Sequence, residues 1–243
     1  MAKKTLIIII GIFSLCALII FSFYTNGINL FNYPSGKEYP VRGVDVSSYQ
    51  GEIDWNTLSE QSIHFAYIKA TEGSSYIDPY FDKNLSDALN TNLRIGAYHF
   101  FSFDSSGKTQ AQNFISAVPI KTDMLPPVVD IEFYGDKEIN PPDKEATQIE
   151  LTILLNELEA YYGKKPIIYA TGKTYNQYIA NGFNEYDIWI RNVIGLPILS
   201  DQRQWTFWQF TNRARLDGYV GEEKYIDMNV FNGTREDFDT YAK

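Results

Sequence analysis

The sequence predicts an α/β protein folded as an irregular TIM-like barrel, with about eight strands and five helices in the order (β/α)5(β)3. Over residues 41–181, five apolar segments of strand length alternate with helical patterns. Three further strand-like segments follow, joined only by loop sequence, and eight strands are enough to close a barrel. The chain has 243 residues, of which 44% are hydrophobic, so it can bury the core of one such domain.

The predicted elements follow in order along the chain. Asp54 is expected to cap the first barrel helix, and Asp78, followed by Pro79, is expected to cap the second. The longest helix carries an apolar stripe that should pack on the barrel, formed by Ile149, Leu151, Leu154, Leu155, Leu158 and Tyr162. Strands are expected at 41–46, 65–70, 95–100, 126–133, 166–170, 187–191, 206–210 and 225–230, and helices at 54–61, 78–92, 106–118, 143–162 and 173–181.

An N-terminal segment precedes the predicted barrel domain, 41–243. Two lysines are followed by an apolar run without charge over 6–23, at the length boundary between a signal peptide and a membrane-spanning helix. Bulky residues after this run leave no clear cleavage site, so we favour a signal anchor over 1–24, with a signal peptide as the alternative, and a linker over 25–40. The lysines favour a cytoplasmic N-terminus, so we expect the domain outside the cytoplasm, attached to the membrane or secreted after cleavage.

Charge and composition exclude several classes of protein. A formal net charge of −9 disfavours nucleic-acid binding, which needs a basic surface. No nucleotide-binding loop is present, and His64 and His99 lack the spacing of metal ligands, so we expect neither a metal nor another cofactor. Calcium binding by acids alone stays open. Because Cys16 is the only cysteine, an internal disulfide is impossible.

Four acids are predicted to meet at one mouth of the barrel. Asp130 and Glu132 follow a buried strand and lie two residues apart, so they share a face with Cα atoms about 6.6 Å apart. Asp45 and Asp227 are expected there at the ends of the first and last strands. Four neighbouring acids repel one another, which favours keeping a proton on one of them near neutral pH. A protonated carboxyl of this kind is what a glycosidase uses to protonate a leaving oxygen.

Aromatic side chains at the predicted strand ends are candidates for stacking on sugar rings. These are Tyr98, Tyr169 and Trp208, with Trp189 as a further possibility. Each of these rings is also a candidate core residue of the barrel.

Seven segments carry a family resemblance, in the family's order. They begin at Arg42, Ile53, Lys69, Gly96, Val129, Phe207 and Ile226, and read RGVDVS with YQG, IDW, KATEG, GAYHF, VDIE, FWQ and IDMN. Together they resemble the glycoside hydrolase family 25 lysozymes, or Ch-type muramidases. The resemblance implies a barrel with fewer helices than strands. It also implies hydrolysis of the β-1,4 bond between N-acetylmuramic acid and N-acetylglucosamine in peptidoglycan.

The resemblance also implies roles for site residues. Glu132 would be the acid/base, and Asp130 would orient the substrate's N-acetyl group or stabilise the charge on it. Asp45 and Asp227 match the two further acids, and Gln209 belongs to a matching segment near the substrate. Retention of configuration with help from the substrate's acetamido group is implied, although an inverting route stays open. Arg191 departs from the small residue expected at its position, and it could either face a lactyl or peptide carboxylate or form a salt bridge with acids at the rim.

The sequence leaves two other functions open. One is a chitinase-like N-acetylhexosaminidase, which would use the same kind of site on a polymer without lactyl groups. The other is a non-catalytic peptidoglycan-binding protein, against which the presence of all four acids argues. For the favoured muramidase we expect a monomer whose partners are peptidoglycan glycan strands and, through the N-terminal segment, the membrane.

Overall fold

The protein is described by a computed structural model that covers residues 2–25 and 32–243, and within 2–25 the side chains of Thr5 and of residues 9–19. The strands are β1 Arg42–Val46, β2 Phe65–Glu72, β3 Tyr76–Ile77, β4 Arg94–Phe100, β5 Val128–Ile131, β6 Ile167–Thr171, β7 Ile188–Arg191, β8 Phe207–Ala214 and β9 Ile226–Phe231. The helices are α1 Ala2–Thr25, α2 Trp55–Ser59, α3 Phe81–Ala88, α4 Gly107–Ala117, α5 Lys144–Tyr162, α6 Gly172–Thr174 and α7 Arg235–Thr240.

Eight strands close into a barrel, which confirms the predicted fold class. The order around the sheet is β1-β9-β8-β7-β6-β5-β4-β2, and pairing between β1 and β2 closes it. Strand β3 lies outside the barrel, where it forms an antiparallel pair with the end of β2. As predicted, helices follow the first five barrel strands, and only loop sequence joins β7 to β8 and β8 to β9.

The direction of the last strand corrects one step of the sequence argument. Strand β9 runs antiparallel to both of its neighbours, β1 and β8, whereas the other barrel pairs are parallel. Asp227 therefore lies at the start of its strand rather than at the end, directly opposite Asp45 in the register. The antiparallel direction is what brings Asp227 to the same mouth as Asp45.

Helix signals in the sequence are largely confirmed, with two corrections. Asp54, Ser106 and Asp143 cap α2, α4 and α5 as their side chains accept hydrogen bonds from backbone N–H groups. Asp78 does not cap α3, because its carboxylate accepts from the backbone N–H groups of Tyr80 and Ser48 and so ties two loops together. In the stripe of α5, Ile149 faces solvent with 52% of its surface exposed, while the four leucines are buried as predicted.

The lower half of the barrel interior is filled by rings. Phe65, Tyr67, Trp189 and Phe207, which we call the aromatic plug, have ring centroids 5.0 to 6.3 Å apart. Two glycines leave room for these rings, as a Cβ on Gly96 would lie 2.1 Å from Tyr67 and one on Gly43 would lie 2.4 Å from Phe65. A second apolar layer, which includes the α5 leucines, packs between the outer face of the barrel and its helices.

The N-terminal segment is described in part. Helix α1 spans most of the predicted signal anchor, and its large apolar side chains from Ile9 to Ile19 are 46 to 77% exposed. Among the described residues, no helix qualifies as long and apolar enough to cross a membrane. Residue 1 of the predicted anchor and residues 26–31 of the predicted linker lie outside the described residues. The described end of that linker contacts the barrel, where Asn32 donates to the carbonyl oxygens of Asn192 and Phe210.

Candidate active site

A cavity of about 490 Å³ opens at the end of the barrel where the parallel strands finish and β9 begins, which we call the mouth. Its lining includes all four predicted acids, Asp45, Asp130, Glu132 and Asp227. Alternation along each strand explains this, because residues two apart face the same side. Inward-facing residues low in the barrel form the aromatic plug, and the acids lie above it.

Asp130 and Glu132 form one half of the acid cluster, at the end of β5. Burial raises the pKa of Asp130 well above its ordinary value, and the charge of Glu132 raises it further. Burial also raises the pKa of Glu132, while Arg191 opposes that rise. Among the described residues, the buried Oδ1 of Asp130 has no hydrogen-bond partner. Burial and mutual repulsion therefore make it hard for both carboxyl groups of the pair to ionise together, and Oδ1 is left able to bind a substrate.

Asp45 and Asp227 form the other half and are held by amides. Gln209 donates from Nε2 to Asp45 at 3.2 Å and to Asp227 at 3.0 Å, and its Oε1 accepts a hydrogen bond of 2.9 Å from the Tyr169 hydroxyl. Burial and repulsion by Asp45 raise the pKa of Asp227 well above its ordinary value. Burial also raises the pKa of Asp45, but hydrogen bonds from Asn229, Gln209 and Asp227 oppose this. Of the two carboxyl groups, Asp227 therefore holds a proton more strongly, and its hydrogen bond with Asp45 raises the pKa of Asp227 further.

Asn229 is a site residue that the sequence argument did not single out. Its Nδ2 donates to Asp45 over 2.6 Å, and its Oδ1 accepts from the indole N–H of Trp189 over 2.9 Å. Because an indole nitrogen can only donate, Trp189 fixes which end of the amide faces Asp45. The signal was present in the sequence, since Asn229 lies two residues after Asp227 and therefore on the same face of the strand.

Two cations lie among the acids. Lys69, whose side chain is 13% exposed, pairs with Glu72 at 2.8 Å and lowers the pKa of Asp130. Arg191 lowers the pKa values of Asp45, Glu132 and Asp227. Sequence reasoning missed Lys69, which lies before the predicted loop at the end of β2.

The predicted sugar-binding aromatics divide into two groups. Tyr98, Tyr169 and Trp189 line the cavity, although Trp189 and Tyr169 are largely buried. Trp208 does not line it and corrects that prediction, because its neighbours Phe207 and Gln209 face inward and alternation sends Trp208 outward. There its indole nitrogen donates to the carbonyl of Asn192, and its ring packs against Tyr39 and Trp205.

A second cavity adjoins the first. This side cavity, of about 560 Å³, lies between the ends of β5, β6 and β7 and the loop that follows β7. It shares Glu132 and Arg191 with the acid cavity, so these two residues stand where the cavities meet.

His99 takes no part in this chemistry. The imidazole of His99 is fully buried on the outer face of β4, where its nitrogens pair with Thr71 and Gln110 at 2.7 and 3.0 Å. Burial lowers its pKa to about 4, so it is neutral at physiological pH. Within the described part of the chain, no three His, Cys, Asp or Glu side chains are grouped to hold a metal ion. The chemistry available at the mouth is acid/base chemistry by carboxyl groups.

Comparison with known proteins agrees with this site. Residues 44–219 match the family model described as glycosyl hydrolases family 25. A solved family 25 glycosyl hydrolase from Bacillus anthracis superimposes with a TM-score of 0.83 at 52% identity, covering 88% of this chain and 98% of that one. Among curated relatives, the uncharacterized protein YegX of Escherichia coli is 35% identical over 84% of this chain and 74% of its own length. Lysozyme M1 of Streptomyces globisporus is 33% identical over 80% of this chain and 68% of its own length. The chain belongs to family 25 of the glycosyl hydrolases.

Proposed function

We propose that this protein is a muramidase, which hydrolyses the β-1,4 bond between N-acetylmuramic acid and N-acetylglucosamine in peptidoglycan. The observation that carries the proposal is the pairing of Asp130 and Glu132 on one face of the acid cavity, both with raised pKa values. Similarity to lysozyme M1 supports the choice of substrate.

In the proposed reaction, Glu132 is the general acid and base. Its carboxyl proton passes to the glycosidic oxygen as the bond from that oxygen to C1 breaks. The carbonyl oxygen of the substrate's own acetamido group then bonds to C1, and the leaving sugar departs with a hydroxyl group. Glu132, now ionised, takes a proton from water, and the water oxygen opens the cyclic intermediate at C1. Two displacements at C1 retain its configuration.

We assign Asp130 to the acetamido group. Positive charge grows on the acetamido nitrogen as the acetamido oxygen attacks C1. An adjacent carboxylate that accepts a hydrogen bond from the acetamido N–H therefore stabilises the transition state. Substrate binding would therefore draw the proton of the pair from Asp130 to Glu132, where the reaction needs it. The unpartnered Oδ1 of Asp130 supports this assignment.

The other predicted site residues receive supporting roles. Asp45 and Asp227, with one proton between them, would carry negative charge beneath the developing positive charge at C1. Gln209 would hold that pair in place, and Tyr98 and Tyr169 would contact the sugar. The complete site within one chain supports a monomer as the active form.

We further propose that the domain acts outside the cytoplasm and that the N-terminal segment holds it at the membrane. Family membership supports export, and the exposed apolar side chains of α1 support the anchor. Fractionation of cells that express the full chain, or a version without residues 1–24, tests this. Only the full chain should sediment with membranes.

The function is tested by digesting purified peptidoglycan with the full chain and with Glu132→Gln. Mass spectrometry of the products should identify reducing N-acetylmuramic acid ends, and the variant should be at least about 100-fold slower, as expected for loss of a general acid. Release of reducing N-acetylglucosamine, or faster digestion of chitin than of peptidoglycan, would favour the hexosaminidase alternative. Binding to the wall without any hydrolysis would reject catalysis.

Proton NMR of the first product formed tests the retaining route. The account predicts the β-anomer as the initial product, before mutarotation. An initial α-anomer would require an inverting reaction, in which water attacks C1 directly.

A further inference from the structure

The side cavity is lined by Arg191, whose guanidinium is available to bind a ligand. The guanidinium of Arg191 makes no hydrogen bond or ion pair with any described residue, although it is close enough to the acids to lower the pKa values of three of them. Lys173, the other cation lining this cavity, is already paired with Glu138. Arg191 is thus the side chain that can bind an incoming anion, with a planar fork of N–H donors suited to a carboxylate.

Besides Arg191, the side cavity is lined by two highly exposed apolar side chains. Ile194 and Ile198, in the loop after β7, are 81 and 86% exposed and both line the side cavity. The loop that carries them is held in place, because Asn192 accepts from the backbone N–H of Ile194 through its side chain and from Trp208 through its carbonyl. The cavity therefore combines a carboxylate-binding group with apolar contacts, and its size is within the range for a ligand of a few residues.

We propose that the side cavity binds the peptide stem of peptidoglycan, with Arg191 as the carboxylate-binding group and Ile194 and Ile198 as apolar contacts. This inference rests on the proposed function, since Glu132 at the junction places the scissile bond next to the cavity. Peptide stems carry free carboxylates and small apolar side chains, which match both features of the lining. A stem held there aligns its glycan strand across Glu132.

The test compares two soluble substrates, glycan fragments with intact peptide stems and the same fragments after an amidase has removed the stems. The full chain should show a kcat/KM about 10- to 100-fold higher for the stem-bearing fragments, the range expected for one charge-assisted hydrogen-bonded pair. Arg191→Gln should lower this ratio to within about 3-fold of unity, and Arg191→Lys should retain part of it.

A second pair of variants separates the cavity from the acids. Replacing both isoleucines, Ile194→Ser with Ile198→Ser, should lower kcat/KM on stem-bearing fragments more than on stem-free ones. Ile149→Ser is the matched control, since Ile149 is an exposed isoleucine on α5 outside both cavities. In Ile149→Ser, the ratio of kcat/KM on stem-bearing fragments to kcat/KM on stem-free fragments should equal that of the unaltered protein.

The outcomes keep the two proposals distinct. Equal rates on both fragments, or a preference that persists in Arg191→Gln and in the double variant, would overturn stem binding while leaving muramidase activity intact. If neither fragment is cleaved, the proposed function fails. Calorimetric titration with the free stem peptide then tests stem binding by itself. Binding that is weaker in Arg191→Gln would support the inference, and no binding would overturn it.

Discussion

The two ends of the barrel interior are built from the same strands but serve opposite purposes. Strand β7 places Trp189 in the aromatic plug and Arg191 at the mouth, two residues apart, and β8 places Phe207 in the plug and Gln209 at the mouth. The plug buries rings against one another, which stabilises the fold. At the mouth, burial raises the pKa values of four acids, so ionising them costs stability.

This difference shows how stability and reactivity are divided within one fold. The hydrophobic stabilisation from the plug offsets the stability lost when the acids at the mouth ionise. Hydrogen bonds join the two regions through Trp189, Asn229 and Asp45. Substitutions in the plug should therefore change stability before activity. Substitutions at the mouth should change activity and leave stability unchanged or higher.

The largest expected effect is at the mouth, where Asp130 and Glu132 act as a unit. Combining Asp130→Asn with Glu132→Gln should reduce kcat little further than Glu132→Gln alone, about 10²- to 10⁴-fold, because residues that serve one step are not additive. Single-turnover rates on peptidoglycan fragments measure this. Losses that multiply in the double variant would show that the two carboxyls act independently.

The plug should respond in the opposite way. In Gly96→Ala the new Cβ would lie 2.1 Å from the Tyr67 ring, and such overpacking costs about 1–3 kcal/mol of unfolding free energy. At about 2–4 °C per kcal/mol, Tm should fall by roughly 2–12 °C while kcat at low temperature changes little. Gly195→Ala is the control, as nothing lies within 4 Å of its Cβ position. Equal Tm values for the two variants would contradict the packing described for the plug.

Asn229, which links the regions, should affect both properties. Asn229→Ala leaves the buried indole N–H of Trp189 without its acceptor and removes a donor to Asp45, so we expect a loss of about 1–3 kcal/mol in stability. We also expect a fall in kcat of about 10-fold, estimated from one lost hydrogen bond of about 1.4 kcal/mol. Trp189→Phe should reduce kcat less, because Asn229 can still donate. Thermal unfolding and steady-state kinetics distinguish these variants, and an Asn229→Ala variant with unchanged kcat would remove Asn229 from the site.

The smallest expected effect concerns pH. Arg191 lowers the pKa of Glu132, so in Arg191→Gln that pKa should rise. A general acid must be protonated, so the alkaline limb of the kcat/KM profile should move to higher pH in the variant. Stem-free fragments are the appropriate substrate, since they lack the peptide carboxylates. A limb that stays in place would show that Arg191 does not control Glu132.

The sequence alone predicts the barrel strands and the four acids at the mouth. Short apolar segments bounded by turn residues located all eight barrel strands, because burial on both faces leaves a strong composition signal. The direction of β9 carried no such signal, since hydrophobic pattern does not depend on strand direction. The sequence argument placed the four acids at one mouth, where they line one cavity, but it assigned Asp227 to the wrong end of its strand.

Side-chain orientation was the other source of error. Trp208 and Gln209 are adjacent, so alternation allows only one of them to face the cavity, yet both were predicted to bind substrate. Pairing Asn229 with Trp189 required knowledge of which strands approach across the barrel. The pKa values also depended on the fold, because burial is their largest cause and only the closed barrel defines it.

The most direct test of the account is the pH dependence of unfolding in Asp130→Asn. The folded protein raises the pKa of Asp130, so the wild-type carboxyl stabilises the fold only where it is protonated and loses that contribution as pH rises from about 4, the pKa of an unfolded Asp. The account predicts that the variant has a higher Tm than wild type at pH 7, and that the difference vanishes near pH 4. Asp104→Asn is the opposite case, because the hydrogen bond from Lys137 lowers the pKa of Asp104 and the ionised carboxylate stabilises the fold. This variant should be less stable than wild type at pH 7. An Asp130→Asn variant that is less stable than wild type at pH 7, or equally shifted at every pH, would contradict the claim that the mouth holds its acids at a cost to the fold.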